Sequence, residues 1–337
     1  MRKYLLPENC NSYKANLHTH SNLSDGVCSV EEIKEYYASH GYSIISFTDH
    51  DVFITHNDLT DDNFLVLNGY EIEVSQPSSE INLGSGVAKT CHMCLIATDP
   101  NMETPVCWHR EKYIPPKSLP HVDKVKFDPT KPDYIRVYSH EGVSDMMKQG
   151  RDNGFFVTYN HPTWSCEDYR DYIGYENMHA MEIMNNTCIN MGYPEYNDRV
   201  YDDMLRAGKR IFCTGTDDAH GKGGMCGCYI VVLADKLEYK TVINSMMKGD
   251  FYSSEGPEIK SLYIEDGKVS IETSDAAQIC FSTGIRKCKR FVGTDESPIN
   301  SATFELPIDK DPYYFRVTVV DQKGKRAYTN AYFMDKI

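Results

Sequence analysis

The chain has no run of about eighteen consecutive apolar residues, so no segment has the length and character of a membrane-spanning helix. Its opening stretch, "MRKYLLPENCNSYK", has basic residues but no long apolar core behind them, which argues against a secretory signal. Positive charge is also short: 35 Lys and Arg stand against 49 Asp and Glu, a net charge of −14. An acidic surface repels phosphate backbones unless a basic patch intervenes. The densest such patch, Ile285–Arg290 ("IRKCKR"), is distant in sequence from the histidine motifs, so nucleic acid is not expected as the main partner. Internal repeats and low-complexity tracts are absent. Cysteine, by contrast, is abundant, with twelve residues at irregular spacings. The one C-x-x-C, Cys91–Cys94, lies in "CHMCLIA", which reads as a strand, and there the two side chains point to opposite faces. No second pair stands nearby to complete a zinc knuckle. Reduced, structural thiols in a reducing cytoplasm are the expectation.

At 337 residues the chain exceeds one ordinary domain. "ANLHTH" has the pattern of a strand. "SVEEIKEYYASHG" follows with a capping box, Ser29 and Glu32, an apolar stripe of Val30, Ile33 and Tyr37, and Gly41 at its end. "YSIISFTDHD", "NFLVLNGYEIEV" and "KTCHMCLIATD" are strands. Seven prolines between Pro100 and Asp133 mark an insertion or lid, about residues 100–138. Beyond it come a helix over Glu141–Asn153, the strands "FFVTYNHP" and "AMEIMNN", a helix over Pro194–Ala207, the strands "RIFCTGTDDAH" and "GCYIVVLA", and the helix "YKTVINSMMKG". This alternation predicts an α/β domain over residues 1–255 built on a parallel sheet, open or closed into a barrel. From Gly256 onward short alternating runs are separated by turn signals, with no helical period. They predict a small all-β sandwich over residues 256–337.

Titratable residues collect where the predicted strands end. His18 and His20 end the first strand, and Asp25 follows. His50 lies in "TDHD", Glu71 in "NGYE", His92 on the fourth strand, His161 in "NHP", and Asp218 and His220 in "TDDAH". In a parallel α/β barrel the C-terminal rim is where sites are built. Six imidazoles and three carboxylates cannot share a cleft cheaply unless they bind something. A divalent metal meets that need, and this donor mix suits zinc, iron or manganese better than calcium or magnesium. Residues i and i+2 of a strand share a face, so His18 and His20 can grip one ion together. Isolated histidines such as His40, His56 and His179 read as surface or core filler.

The motifs "NLHTHSNLSDG", "FTDHD", "GYE", the His of "CHMCLIA", "NHP" and "DAH", in this order over residues 13–255, resemble those of the PHP (polymerase and histidinol phosphatase) superfamily of metal-dependent phosphoesterases. The resemblance implies a distorted seven-stranded (β/α) barrel of PHP type and two or three divalent ions. It places His18, His20, Glu71 and Asp218 on a first ion. Glu71 would bridge to a second ion completed by His92 and His161, and Asp25, His50 and His220 would hold a third. Asp25 stands where some relatives carry His. Glu73 could compete with Glu71, but the G-x-E pattern favours Glu71. "GDFYSSEGP" and the tail ending "GKRAYTNAYF" are similar to a two-domain branch of the superfamily, some of whose members are described as carbamate-ester hydrolases.

The implied activity is hydrolysis of a small-molecule phosphate mono- or diester. Glu71 and Asp218 would hold ions that share a bridging water of lowered pKa, the nucleophile. His140, in "YSHEG", or His109 would protonate the leaving alkoxide. Lys89, Arg110, Lys112, Arg136 and Arg199 are the candidate phosphate-binding cations. Asn160, Asn185 and Asn186 are placed to bond substrate or cap turns. Two other readings use the same residues: a metal-dependent carboxylic or carbamate ester hydrolase, and a non-catalytic, metal-stabilised binding module.

Overall fold

The computed structural model describes residues 2–77 and 88–337. Ser29 starts the first helix as its sequence predicts. Its hydroxyl accepts from the Glu32 N–H, and the Glu32 carboxylate accepts from the Ser29 N–H, closing a capping box on α1 (Val30–Ser39). Ile33 and Tyr37 of its apolar stripe are buried, and the Tyr37 hydroxyl donates to Asp217 at 2.7 Å. The helix therefore docks on the segment that carries Asp218. Helix α1 is capped by His40, and Gly41 follows with φ of 77°, a conformation glycine adopts without strain.

The strands of the first part are β1 (Lys3–Tyr4), β2 (Asn11–Asn16), β3 (Ile44–Phe47), β4 (Leu65–Ser75), β5 (Thr90–Ala97), β6 (Phe155–Tyr159), β7 (Ala180–Asn185), β8 (Phe212–Thr216), β9 (Tyr229–Ala234) and β10 (Phe251–Ser254). The helices after α1 are α2 (His140–Asp152), α3 (Tyr169–Tyr172), α4 (Asn186–Asn190), α5 (Asp198–Arg206) and α6 (Tyr239–Lys248). Seven neighbouring strands run β2-β3-β4-β5-β6-β7-β8, with β9 and β10 added on the free side of β2. The architecture is mixed α/β, as expected, but the sheet is not all parallel. Strand β5 runs against both β4 and β6, and β9 runs against β2. No helix lies between β4 and β5 among the described residues, and strands joined without a crossover pair antiparallel.

The ladder is an open path rather than a closed ring. One parallel bridge, Thr19 with Ala219, joins the segments that follow β2 and β8. There the His20 N–H donates to the Ala219 carbonyl (3.0 Å), and the Asp218 N–H donates to the His18 carbonyl (2.9 Å). Strand β4 changes partner midway: Leu65–Asn68 pair with β3, and Gly69–Ser75 pair with β5.

The remaining strands are β11 (Ile259–Glu265), β12 (Lys268–Ala276), β13 (Gln278–Thr283), β14 (Lys289–Val292), β15 (Ile299–Glu305), β16 (Tyr314–Val320), β17 (Arg326–Thr329) and β18 (Tyr332–Phe333). Strands β1, β11, β12 and β15 form one sheet, while β17, β16, β13 and β14 extend the large sheet beyond β10. Leu262, Val269 and Ile271 of the first layer pack with Ile279, Phe281 and Val317 of the second in one apolar cluster. The chain start belongs to this layer through the β1–β11 pairing. Arg316 of β16 ion-pairs with Asp202 of α5 (2.9 Å), tying the two parts across their contact. Among the described residues no helix is long and apolar enough to cross a membrane.

The proline-rich segment runs between β5 and α2 and is clamped by two buried contacts. The Trp108 indole N–H donates to the Asp51 carbonyl (2.9 Å), and the buried Arg136 guanidinium forks onto the buried Asp51 carboxylate. Removing one partner of a buried pair strands the other charge. Arg136→Met is therefore expected to lower unfolding free energy by about 3–5 kcal/mol in urea titration, and the added change Asp51→Asn is expected to recover part of it.

Glu167 holds the loop after β6. Its carboxyl accepts from Tyr159 (2.6 Å), Tyr138 (3.1 Å) and Tyr175, and burial pushes its pKa up to about 7 from 4.5 despite those bonds. A raised carboxyl pKa adds stability that is complete below pH 4.5 and is lost as pH climbs through 7. Glu167→Gln is expected to flatten the stability profile across that window by up to roughly 3 kcal/mol, measured by denaturation at a series of pH values.

Candidate metal centre

Every metal-ligand candidate named from the sequence reaches one cluster at one end of the seven strands. The strands bring them there in different ways. His18 and His20 lie just past β2 and His50 just past β3. Glu71 does not end its strand as the sequence suggested. It sits inside the eleven-residue β4, and its bridge to His50 places it level with the ends of its neighbours. His92 is near the start of β5, and because β5 is antiparallel that start faces the same rim. His161 follows β6, and Asp218 and His220 follow β8. The loop carrying Asp25 packs tightly: a Cβ on Gly26 would lie 2.2 Å from the His20 carbonyl oxygen, so only glycine fits. Asp218 (φ 51°) and His161 (φ 23°) adopt left-handed backbone, held by the bond from Asp218 N–H to His18 and by one from the His161 N–H to Glu182 (2.9 Å).

His18 Nε2, His20 Nε2, Glu71 Oε2 and Asp218 Oδ1 form a compact set. His18 and His20 are 3.1 Å apart, and they stand 3.2 and 3.3 Å from Glu71 and 3.3 and 3.1 Å from Asp218. A tetrahedron with corners about 2.0 Å from its centre has edges of about 3.3 Å, close to each of these five spacings. The other oxygen of Glu71 turns to a different set: His92 Nδ1 at 3.3 Å and His161 Nε2 at 3.4 Å. A third set comprises His20, Asp25, His50 and His220, with Asp25 3.2 Å from His220 and 3.9 Å from His50. His50 also stands 3.4 Å from Glu71, so the third set is not separate from the others. His20 Nδ1 is buried without a hydrogen-bond partner and lies 3.6 Å from Asp25. Such an orphaned nitrogen fits a site made for a cation.

The charges are strongly coupled. Burial alone would raise the Glu71 carboxyl, yet the imidazoles of His18, His50 and His92 hold it well below the usual range. Asp218 and Asp25 are held low in the same way, against burial, by His18 and by His220 respectively. In return, against burial, Asp218 and Glu71 raise His20 to about 9, and Glu71 and Glu73 raise His92 to about 10. His50 goes the other way, to about 4, through burial and the neighbouring His20. Protons thus occupy the place of cations in this arrangement, and metal uptake would displace them.

Sequence reasoning missed Glu182. It is fully buried on β7 and accepts from Thr216 (2.6 Å), while its carboxylate meets His18 Nδ1 at 2.7 Å. A carboxylate in the otherwise apolar "AMEIM" was the available signal. Glu73 plays the corresponding part for His92, meeting its Nε2 at 2.8 Å rather than competing with Glu71. Asn160 donates to Glu71 (2.8 Å), and Asn185 donates to Asp218 (3.2 Å) and caps α4, so both serve ligands. Asn186 instead donates to the Gly224 carbonyl.

The cluster lines a cleft of about 340 Å³ together with Trp164, Thr187, Cys188 and Met191. Trp164 is set by Glu195, which accepts its backbone N–H at 2.8 Å. His140 does not reach this cleft. It is exposed at the start of α2, with Nε2 against the Arg170 carbonyl at 2.6 Å. His109 is buried with Nδ1 accepting from the Glu111 and Lys112 N–H groups. The candidate cations are engaged elsewhere: Lys89 with Asp168 and Asp171, Arg110 with Asp133, Arg136 with Asp51, and Arg199 with Asp203. Lys112 is exposed and does not line the cleft.

A carboxylate that orients a ligand imidazole tunes affinity without touching the ion. Glu182→Ala is expected to weaken zinc binding by roughly 10- to 100-fold in a competition titration with a chromogenic chelator.

No family model matches the chain, and no curated protein matches it. It is similar in structure to a two-domain protein from Bacteroides vulgatus containing a predicted PHP-like metal-dependent phosphoesterase, with 14% identity, 98% of each chain covered and a TM-score of 0.44. A protein from Bifidobacterium adolescentis, provisionally described as a metal-dependent phosphoesterase, shows 17% identity over 64% of this chain and 90% of its own, with a TM-score of 0.39. An amidohydrolase from Chromobacterium violaceum, with bound sulfate and no metal, shows 14% identity over 70% of this chain and 96% of its own, with a TM-score of 0.39.

Proposed function

We propose that the chain is a metal-dependent phosphoesterase of the PHP superfamily, acting on a phosphate mono- or diester of a small molecule. The observation that carries this reading is the two-sided Glu71 carboxylate. One oxygen meets His18, His20 and His50 at 3.2–3.4 Å, and the other meets His92 and His161 at 3.3–3.4 Å. That is the disposition of a ligand shared between two ions. Two or three divalent ions (zinc, iron or manganese) would supply Lewis acidity and lower the pKa of water at the site. His18, His20, Glu71 and Asp218 would hold the first, Glu71, His92 and His161 the second, and Asp25, His50 and His220 a third. Glu182, Glu73, Asn160 and Asn185 orient these ligands. In the same reading the seven strands β2–β8 form the distorted barrel, residues 256–337 form a β-sandwich domain, and the protein works in the cytoplasm without a nucleic-acid partner.

A second reading, hydrolysis of a carboxylic or carbamate ester, has one observation in its favour. The lining by Trp164, Cys188 and Met191 is largely apolar, and among the described residues no arginine lines the cleft. A panel of p-nitrophenyl phosphate, bis-p-nitrophenyl phosphate and naphthyl acetate, run with zinc-, iron- and manganese-loaded protein, separates the two. Phosphate-ester turnover is expected to dominate. Metal-replete protein inert on the whole panel would point to a binding module instead. His18→Ala and Asp218→Ala are each expected to abolish turnover and to lower bound metal by elemental analysis. Full activity in either variant would sink the mechanism.

A further inference from the structure

A phosphate ester carries negative charge into a cleft whose own acids are Asp25, Glu71 and Asp218 and whose lining by Trp164, Cys188 and Met191 is largely apolar. Ions neutralise part of that charge. A phosphoryl group still presents oxygens that face the protein, and these want a cationic donor. The cations expected from the sequence are spent on carboxylates elsewhere or lie outside the cleft. Lys117, in the proline-rich segment, is also exposed and outside the cleft lining, but its side chain reaches a residue that lines the cleft. Its Nζ donates to the Asp25 backbone carbonyl at 3.3 Å, and among the described residues it is the only lysine or arginine side chain bonded to any of the nine candidate ligand residues. It has no carboxylate partner among the described residues.

The backbone that carries Lys117 is fixed while its ammonium is exposed. Pro115 and Pro116 precede it, each with a restricted φ. The Ser118 N–H closes a turn onto the Pro115 carbonyl at 2.9 Å, and the buried Ser118 hydroxyl donates to the His50 carbonyl at 2.9 Å. The turn is thus bolted to two of the three segments that supply Asp25, His50 and His220. An ammonium has three donors. One is used on Asp25, weakly at that distance, and the others are available to an incoming anion.

We propose that Lys117 is a positioning residue that binds the substrate's phosphoryl group on the Asp25 side of the cleft. This rests on the phosphoesterase reading above. It places the alcohol portion of the ester against Trp164 and Met191.

The alternative is that Lys117 merely holds the segment against Asp25, and two probes tell these apart. Inorganic phosphate tests the anion contact. Acetohydroxamate, a small chelator, needs only the ions and an intact cleft. Both are titrated calorimetrically into zinc-loaded wild-type, Lys117→Met and Lys117→Arg protein of verified equal zinc content. Lys117→Met is expected to weaken phosphate by roughly ten- to a hundredfold, the size of a charged hydrogen bond, and to shift acetohydroxamate far less. Lys117→Arg is expected to restore most of the phosphate affinity. Equal weakening of both probes, or unchanged phosphate affinity in Lys117→Met, overturns the proposal. Wild-type protein that binds acetohydroxamate but not phosphate removes the phosphoesterase reading itself, and the role of Lys117 with it. Binding of neither probe removes the metal centre on which both rest.

Discussion

Glu71 is a fully buried carboxylate with imidazoles on both of its oxygens, and most of the first part of the chain is arranged around that fact. An isolated carboxylate at this depth would not ionise, because burial would cost more than any neighbouring dipole returns. Here His18, His50 and His92 keep it charged, with His20, His161 and Asn160 adding contacts. Five stretches of chain, spread from His18 to His161, must therefore arrive at one point together. The same coupling makes the centre cation-seeking. The lone pairs converge at separations that leave space for an ion, and the buried His20 Nδ1 has no hydrogen-bond partner among the described residues.

The topology that permits this convergence is the reversal at β4 and β5. Glu71 lies where β4 leaves its parallel neighbour β3 and takes up its antiparallel neighbour β5. A uniformly parallel sheet would carry the start of the next strand to the opposite end. The reversal brings the beginning of β5, and with it His92, beside Glu71. The bridge of Thr19 with Ala219 does the corresponding work on the other side, setting His18 and His20 against Asp218 through backbone bonds rather than side-chain ones.

Around the ligands stands a second group of buried acids with a different task. Asp49 accepts from the Ser21 N–H and from the Ser21 and Ser24 hydroxyls. Asp217 accepts from Tyr37 and from the backbone N–H groups of Cys226, Gly227 and Cys228. Both organise the loops that present their neighbours, His50 and Asp218. "TDHD" and "TDDAH" therefore each pair a ligand with a structural acid just before it. In each, the ligand, His50 or Asp218, faces the centre, while the acid before it bonds the loop behind.

From its order alone the chain determined much of this. The capping box of α1, the positions of most strands, the proline-rich segment and the β-rich tail all follow from local propensity and period, which act over a few residues. Seven of the nine candidate ligands follow strands, where side chains of neighbouring strands are close, while Glu71 lies inside β4 and His92 near the start of β5. Tertiary structure decided what depends on distant pairing. Glu182 looked like a stray charge in an apolar strand until β7 lay beside His18. His140 had a plausible motif and faces the wrong way, because it begins a helix whose start bonds Arg170. The direction of β5, the division of Glu71 between two ligand sets and the placement of Lys117 over Asp25 all arise from contacts between residues far apart in sequence. Periodicity carries no record of such contacts.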